Sequence, residues 1–185
     1  EQVKIRSLCC YPTDPGFITA LAAATRQAYA TAAAQGKPRV LFSAHGLPEK
    51  IIKAGDPYQW QCEQTAAALV SALAIPDLDW VNCYQSRVGP LRWIGPSTEA
   101  EIGRAGHDKV PVVVVPIAFV SEHSETLVEL DIEYRHLAAE KGVPFYARVP
   151  TVSTVPDFIA GLAALVRFVR AQPVEQADGL VCPNG

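Results

Sequence analysis

Two side chains in this sequence combine proton chemistry with metal affinity beside predicted strands. His45 lies in the segment 44–48, directly after a short apolar stretch, and Glu125 follows the longest apolar run of the chain, residues 110–120. An imidazole and a carboxylate can each accept a proton or bind a divalent metal ion. Two ligands are fewer than the four of a closed structural zinc site, so this pair suits a metal ion that is bound only transiently.

The residues after Glu125 form a row of carboxylates with helical spacing. Glu129 and Glu133 follow at i+4 and i+8, and Glu122 falls on the same side of a helix that we expect to end near Lys141. A row like this is most often a solvated surface, yet it can also attract cations or pass protons. The opposite side of the helix is predicted to face the core. Its apolar residues are Leu127, Leu130, Tyr134 and Leu137.

A third group of candidates lies in the Gly- and Pro-rich loop 85–96. Ser86 and Arg87 are polar groups near its start, and Trp93 offers a flat ring to a flat, apolar substrate. Each candidate in the chain also has a purely structural explanation. A loop histidine is more often a surface or hinge residue, Glu near a helix N-terminus is favoured by the helix dipole alone, and a Trp in such a loop often anchors it by packing.

The elements that must position these residues alternate between strand and helix. This alternation is typical of an α/β fold with a parallel sheet, and we predict a doubly wound, three-layer αβα lobe. In an open parallel sheet, ligands bind beyond the carboxyl ends of the strands, which selects the loops 43–48, 85–96 and 120–125. The strands are predicted at residues 2–8, 39–43, 78–84, 110–119 and 143–149. Three helices are predicted at residues 17–35, 58–73 and 157–171. A fourth should run from a Thr98-x-x-Glu101 capping box to Gly106, and a fifth along the acidic row to about residue 141.

Length and composition bound the class of protein. The chain has 185 residues, of which 49% are hydrophobic, and this is enough for one domain with a sizeable core. We predict one lobe at residues 1–172 and a tail at 173–185. A net charge of −3 without a Lys/Arg cluster argues against nucleic acid as the main partner. No apolar run approaches the roughly 20 residues of a membrane span, so we expect a soluble protein, and peripheral membrane contact stays open.

Sequence motifs of several other classes are absent. The chain has no G-x-G-x-x-G after its first strand and no G-x-x-x-x-G-K-[ST], which disfavours dinucleotide and NTP binding. It has no G-x-S-x-G, which disfavours a serine hydrolase. The spacing of its five cysteines fits neither a zinc site nor a disulfide framework, and we therefore expect a protein of the reducing cytoplasm.

Five segments of the chain resemble the signature blocks of the ferrochelatase family, and they occur in the family's order. They are SAHGLP at 43–48, GDPY at 55–58, QSRVGP at 85–90, WIGP at 93–96 and AFVSEHSETLVELDIEY at 118–134. The resemblance implies an enzyme that inserts ferrous iron into protoporphyrin IX, the last step of haem synthesis. It also implies two similar α/β lobes. This chain resembles the second, C-terminal lobe, without the lobe that forms the other wall of the porphyrin cleft.

The resemblance also implies roles for particular residues. His45 matches the family's active-site histidine and Glu125 its partner across the cleft, and both are candidates for catalysis and for metal binding. Glu129 and Glu133 match the acidic residues that continue from that glutamate along the helix, as further candidates for binding the metal ion. The candidates for substrate binding are Trp93, Ser86 and Arg87, and Arg87 stands where some members have Lys.

The resemblance determines the cofactor content and the exact substrate less closely than it does the roles of the site residues. Some ferrochelatases hold a [2Fe-2S] cluster on four cysteines, mostly in a C-terminal tail, whereas Cys182 is the one tail cysteine here and Cys9 and Cys10 lie far from it in sequence. We predict no cluster in this chain, no permanently bound cofactor, and Fe²⁺ as a substrate. Two alternatives are a chelatase for another tetrapyrrole or metal, such as cobalt into a sirohydrochlorin, and an isolated lobe that binds without catalysing.

Overall fold

The computed structural model describes residues 5–172 and the backbone of residues 180–181. Strands and helices alternate along the chain, so the predicted α/β class is confirmed. The strands are β1 (Ser7–Leu8), β2 (Arg39–His45), β3 (Asp79–Gln85), β4 (Val112–Pro116), β5 (Tyr146–Arg148) and β6 (Leu180–Val181). The helices are α1 (Pro15–Ala33), α2 (Glu49–Lys53), α3 (Tyr58–Leu73), α4 (Thr98–Asp108), a π-helix (Glu125–Glu133), α5 (Tyr134–Glu140) and α6 (Pro156–Ala171).

Four of these strands form one parallel sheet in the order β3-β2-β4-β5. Strand β2 runs two residues further than the sequence predicts, so His45 is its last residue rather than part of the following loop. The register between β2 and β3 extends to their final residues and pairs His45 with Gln85. The carboxyl edge of the sheet therefore begins at these two side chains.

Helices cover both faces of the sheet, which confirms the predicted three-layer αβα arrangement. Phe42 and Val113 lie in the core that α1, α3 and α6 cover. Leu41 and Val114 point to the opposite face and lie in the core formed with α4, the π-helix and α5. Because alternate residues of a strand face opposite sides, the uninterrupted apolar run of β4 (Val112–Pro116) fits a strand that is buried on both faces.

The start of α4 differs by one residue from the predicted capping box of Thr98 and Glu101. Ser97 is the cap, because its hydroxyl accepts a hydrogen bond of 3.2 Å from the backbone N–H of Ala100. Thr98 is fully buried, and its hydroxyl lies 3.0 Å from the hydroxyl of Ser43. The threonine therefore serves the core, and the serine before it, whose side chain is less buried, is free to cap the helix.

The acidic helix begins as a π-helix, and this changes which residues face the core. Hydrogen bonds in a π-helix run from i to i+5, so each turn holds more residues than an α-turn. Leu127, which the α-helical spacing places on the buried side, is 45% exposed, whereas Leu130 is fully buried and Tyr134 is nearly so. The prediction for Leu127 was wrong because it assumed the α-helical period throughout.

The two ends of the described chain meet in a small parallel sheet, in which β1 pairs with β6. Strand β1 covers only the end of the strand predicted at 2–8, and residues 1–4 lie outside the described residues. Cys182 and the rest of the predicted tail lie outside them as well, apart from the backbone of β6. Among the described helices, none has both the length and the hydropathy that crossing a bilayer requires.

Candidate active site at the carboxyl edge of the sheet

His45 and Glu125, which are 80 residues apart in the sequence, face each other at the carboxyl edge of the sheet. His45 ends β2, and Glu125 opens the π-helix that follows β4, the strand beside β2. The Nε2 atom of His45 lies 3.8 Å from Oε1 of Glu125, and each side chain is 39% exposed. This separation is too long for a direct hydrogen bond. It leaves both atoms within reach of a third group placed between them.

A backbone contact determines which nitrogen of His45 faces the glutamate with a lone pair. The Nδ1 atom lies 2.7 Å from the carbonyl oxygen of Gly46. A carbonyl oxygen can only accept a hydrogen bond, so Nδ1 must carry the hydrogen and donate it. In the neutral ring, Nε2 is then unprotonated and can accept a proton or bind a metal ion on the side of Glu125.

Glu129, one turn further along the π-helix, is held by four hydrogen-bond donors. The backbone N–H of Ser86 donates to Oε1 at 2.8 Å, and the hydroxyl of Ser86 donates to Oε2. The amide nitrogen of Gln85 donates to Oε2 at 3.1 Å, and the hydroxyl of Tyr134 donates to Oε1 at 2.9 Å. These bonds tie the π-helix to the end of β3 and fix the carboxylate beside Ser86.

The contact with Glu129 also accounts for the unusual backbone of Ser86. Its φ of 57° lies in the left-handed region, which costs a residue with a side chain on the order of 1 kcal/mol or more. Two hydrogen bonds to one carboxylate offset this cost, since charge-assisted bonds are stronger than neutral ones. Ser86 therefore holds the glutamate in place, whatever else it contacts.

The loop 85–96 folds back over the segment that follows His45. The N–H of Gly46 donates to the carbonyl of Gln85 at 2.8 Å, and the N–H of Ile94 donates to the carbonyl of Leu47 at 3.0 Å. A Cβ on Gly46 would lie only 3.2 Å from a ring carbon of Trp93 and 3.0 Å from the Gln85 carbonyl oxygen. A side chain on residue 46 would therefore push the loop away by a few tenths of an ångström, and Trp93 packs on the backbone next to His45.

The other predicted site residues lie around this centre without joining it. Glu133 and Arg87 are exposed, and Glu122 is partly buried in the loop before the π-helix. His123 is exposed, its ring lies 5.0 Å from that of Phe119, and its Nδ1 accepts a hydrogen bond of 3.2 Å from the N–H of Glu125. His123 therefore helps to start the helix that carries Glu125.

Metal-ligating groups come together at this edge as a pair. Within the described part of the chain, no three His, Cys, Asp or Glu side chains converge as a metal site. His45, Glu125, Glu129 and Glu133 therefore do not form one four-ligand cluster. The arrangement offers two possible ligands for an ion, His45 and Glu125, with further acidic groups along the same helix.

Sequence reasoning missed Gln85 and Tyr134 as parts of the site. Gln85 is fully buried, where it accepts a hydrogen bond of 2.8 Å from the hydroxyl of Ser43 and donates to Glu129. Its place at the carboxyl end of a strand pattern was a usable signal. The Tyr134 hydroxyl lies 3.0 Å from Glu99 as well as 2.9 Å from Glu129. Burial raises the pKa of Tyr134, and the two carboxylates raise it further, but only the π-helical turn brings residue 134 next to residue 129.

Comparison with known proteins agrees with the segments that line this edge. The ferrochelatase family profile matches residues 1–169. The chain belongs to the ferrochelatase family. It is 58% identical over 158 residues to a ferrochelatase of Caulobacter vibrioides (strain NA1000 / CB15N). These aligned residues make up 85% of this chain and 45% of that protein.

More distant ferrochelatases match along a similar stretch. A ferrochelatase of Pelagibacter ubique (strain HTCC1062) is 52% identical over 164 residues, 89% of this chain and 47% of that protein. One of Rickettsia conorii (strain ATCC VR-613 / Malish 7) is 46% identical over 187 residues, 98% of this chain and 53% of that protein. The chain thus spans about half the length of the curated relatives it matches.

Proposed function

We propose that the protein to which this lobe belongs inserts ferrous iron into protoporphyrin IX to form protohaem, the reaction implied by the ferrochelatase family. The observation that carries the proposal is the approach of His45 Nε2 to Glu125 Oε1 at 3.8 Å on an exposed edge of the sheet. Both residues lie in segments that resemble ferrochelatase blocks. A parallel sheet binds its ligands at this edge.

Metal insertion needs the two kinds of chemistry that this pair offers. Two N–H protons must leave the macrocycle, and a ferrous ion must lose water before it enters. The lone pair on His45 Nε2 can accept a proton, and so can the Glu125 carboxylate. Ligand bonds of roughly 2.1 Å to nitrogen and oxygen would also let one ion touch both atoms across the gap. Either residue can therefore take the proton while the other guides the metal.

Glu129 and Glu133 extend the negative potential of the site along the helix, and we propose that they guide Fe²⁺ or protons. The donors around Glu129 fill its hydrogen-bonding positions, so its contribution is that of a fixed charge. Glu133 is exposed and lies at the outer end of the row. For the porphyrin, we propose contacts with Trp93 by its ring and with Ser86 and Arg87 by their polar groups.

The site of this lobe is one wall of the proposed cleft. We propose that the remaining half of the protein, which the relatives' length implies, supplies the other wall. The lobe alone should then bind protoporphyrin IX weakly or not at all and should not turn it over. Titration of the isolated lobe and of the two-lobed protein with protoporphyrin IX, followed by absorbance, tests this. Tight binding with turnover by the isolated lobe would contradict it.

The reaction itself is tested by following the porphyrin spectrum of the two-lobed protein with Fe²⁺ and protoporphyrin IX. A parallel assay with Co²⁺ and sirohydrochlorin examines the second chelatase chemistry. Protohaem formation with little activity on the other pair is the expected result. Turnover confined to sirohydrochlorin, or binding of protoporphyrin without any insertion, would replace the proposal by one of those alternatives.

Several features of the proposed protein rest on sequence arguments alone. We propose that it works without a permanently bound cofactor and without an iron–sulfur cluster in this chain, as an enzyme of the lyase class. Its partners would be Fe²⁺ and protoporphyrin IX, with no nucleic acid. Cytoplasmic localisation, with peripheral membrane contact left open, stays a prediction.

A further inference from the structure

Arg148, at the end of β5, binds two carboxylates that stand on either side of Glu125 in the sequence. Its Nε and Nη2 donate to Oδ2 of Asp131 at 3.0 and 2.7 Å. Its Nη1 donates to the two carboxylate oxygens of Glu122 at 2.8 and 3.1 Å. The Arg148 side chain is 9% exposed, and those of Glu122 and Asp131 are 30% and 29% exposed.

The two carboxylates belong to the segment that carries Glu125. Glu122 lies in the loop three residues before it, and Asp131 lies on the π-helix six residues after it. One guanidinium therefore holds the approach to the helix and its second turn at the same time. We name this set of three side chains, Arg148, Glu122 and Asp131, the arginine clamp.

The arginine clamp is itself anchored to the sheet. The backbone of β5 pairs with β4, with Arg148 opposite Val114, and the N–H of Val149 donates to the Val114 carbonyl at 2.8 Å. Glu122 accepts a further bond of 3.0 Å from the N–H of Thr151. The clamp thus connects the loop before the π-helix and the second turn of that helix to the most regular part of the fold, the parallel sheet that also ends in His45.

The charges of the clamp are matched to its geometry. Burial opposes ionisation of Glu122 and Asp131, but hydrogen bonds and the positive charge of Arg148 outweigh it, so that the pKa of each carboxyl is lowered. Arg135 donates a third charge-assisted bond to Asp131, at 3.0 Å to its other carboxylate oxygen. A planar guanidinium can serve two carboxylates in fixed directions, which an ammonium group cannot do.

We propose that Arg148 is a positioning residue that sets the place of Glu125 opposite His45. The inference rests on the proposed function, in which these two residues act together. The Glu125 side chain is 39% exposed, and its Oε1 lies 3.8 Å from His45 Nε2, too far for a direct hydrogen bond to hold it there. Since a misplacement of about 1 Å in a catalytic group can cost on the order of a hundredfold in rate, the clamp determines how well the pair works.

A merely stabilising role for Arg148 would give a different pattern, and a triple variant separates the two. Arg148→Met alone leaves the partly buried Glu122 without its cation and Asp131 with Arg135 as its remaining cation, which destabilises the fold. Arg148→Met combined with Glu122→Gln and Asp131→Asn removes those charges, so much of the lost stability should return. The directional bonds stay absent in the triple variant.

Iron insertion by the two-lobed protein then distinguishes the roles. We expect the triple variant to lose about tenfold or more in kcat, with KM for protoporphyrin IX within about twofold of wild type. Arg148→Lys, which keeps the charge and loses the fork, should show the same loss of kcat. Restoration of kcat along with stability in the triple variant, or a rise in KM with kcat unchanged, would overturn the proposal.

Amide hydrogen exchange gives a second readout that needs no turnover. In the triple variant, the amides of residues 123–129 should exchange faster than in wild type at matched global stability, while those of α1 should not change. Unchanged exchange at 123–129 would refute the clamp even if the enzyme is active. If the wild-type protein inserts no iron but the exchange result holds, the proposed function fails and the clamp stands.

Arg104 provides the matched control. It also forms a short ion pair with a carboxylate, donating from Nε to Glu101 at 2.7 Å within α4 on the same side of the sheet. Arg104→Met should leave kcat and the exchange of residues 123–129 within about twofold of wild type. A loss of kcat in this variant equal to that of Arg148→Met would show that any broken ion pair has the same effect.

Discussion

The two faces of the sheet hold their helices in different ways. On one face, α1, α3 and α6 pack mainly through apolar residues such as Leu21 and Leu69, with side-chain bonds such as that from the Thr65 hydroxyl to the Pro12 carbonyl at 2.7 Å, and the helices are regular. On the other, apolar packing around Leu130 is joined by directional bonds. The hydroxyl of Tyr146 donates to the Leu130 carbonyl at 2.6 Å, and Glu129 accepts from four donors.

This difference follows the position of the candidate site. Apolar contacts are non-directional, so they hold a helix against a sheet without specifying the direction of any one side chain. Hydrogen bonds and ion pairs do specify direction. The face that carries Glu125 adds ion pairs and bonds to a carboxylate to its apolar contacts, and it is also the face where the helix departs from the α-helical period. We therefore expect substitutions on this irregular face, rather than on the other, to alter the rate of the proposed reaction.

The largest effect is expected at the two facing side chains. His45→Ala and Glu125→Gln should each reduce iron insertion by the two-lobed protein by about 10²–10⁴-fold, because each removes a group proposed to accept a proton or guide the metal. Neither residue belongs to the core, so the unfolding midpoint in urea should change little. Wild-type turnover by either variant would refute the assignment of these residues.

A pair of core substitutions tests whether the two faces differ in function as well as in structure. Leu69→Ala and Leu130→Ala each empty a fully buried position and should cost about 2–5 kcal/mol in the free energy of unfolding. Only Leu130 lies on the helix of the site. At a temperature where both variants remain folded, Leu130→Ala should lower kcat and Leu69→Ala should not, and equal kcat values would erase the distinction between the faces.

How far sequence alone could reach also differs between the faces. The regular face was predictable because α1, α3 and α6 follow the α-helical period and begin near Asp or Pro signals. At the site, the carboxyl-end rule and the family resemblance located His45 and Glu125. The burial of Leu127 could not be predicted from the α-helical period, and neither could the contact between Glu129 and Tyr134, because a π-helical turn depends on tertiary bonds that local spacing does not encode.

Glu129→Gln is expected to show that Glu129 stabilises the fold, whereas Glu125 on the same helix does not. The amide would place its NH₂ group against donors such as the Ser86 hydroxyl and the Gln85 amide, leaving hydrogen bonds unmade. We expect a loss of about 1–3 kcal/mol in the free energy of unfolding by urea. Glu125→Gln, at the exposed end of the same helix, is the control and should stay within about 0.5 kcal/mol of wild type. Equal stability losses would contradict the division.

The pH dependence of stability should report the arginine clamp on the irregular face. The pKa values of Glu122 and Asp131 are lowered in the folded protein, so both carboxylates add stability above their unfolded pKa values near 4. That stability is lost as the pH falls through the lower folded values. The free energy of unfolding by urea should therefore fall more steeply below about pH 4 for wild type than for the Arg148→Met/Glu122→Gln/Asp131→Asn variant. Parallel curves would show that the clamp has no part in the acid response.

The smallest effect is expected at Leu127, and it tests the helical period directly. An α-helix would bury this residue beside Leu130, and Leu127→Gln would then cost about 2 kcal/mol or more. In the π-helix, Leu127 is 45% exposed, so the same change should alter the free energy of unfolding by at most about 0.5 kcal/mol. Leu130→Gln is the matched comparison, because it replaces a fully buried leucine three residues away. A large loss at Leu127 would mean that the helix carrying Glu125 keeps the α-helical period, and the π-helical contacts of Glu129 with Tyr134 would have to be abandoned.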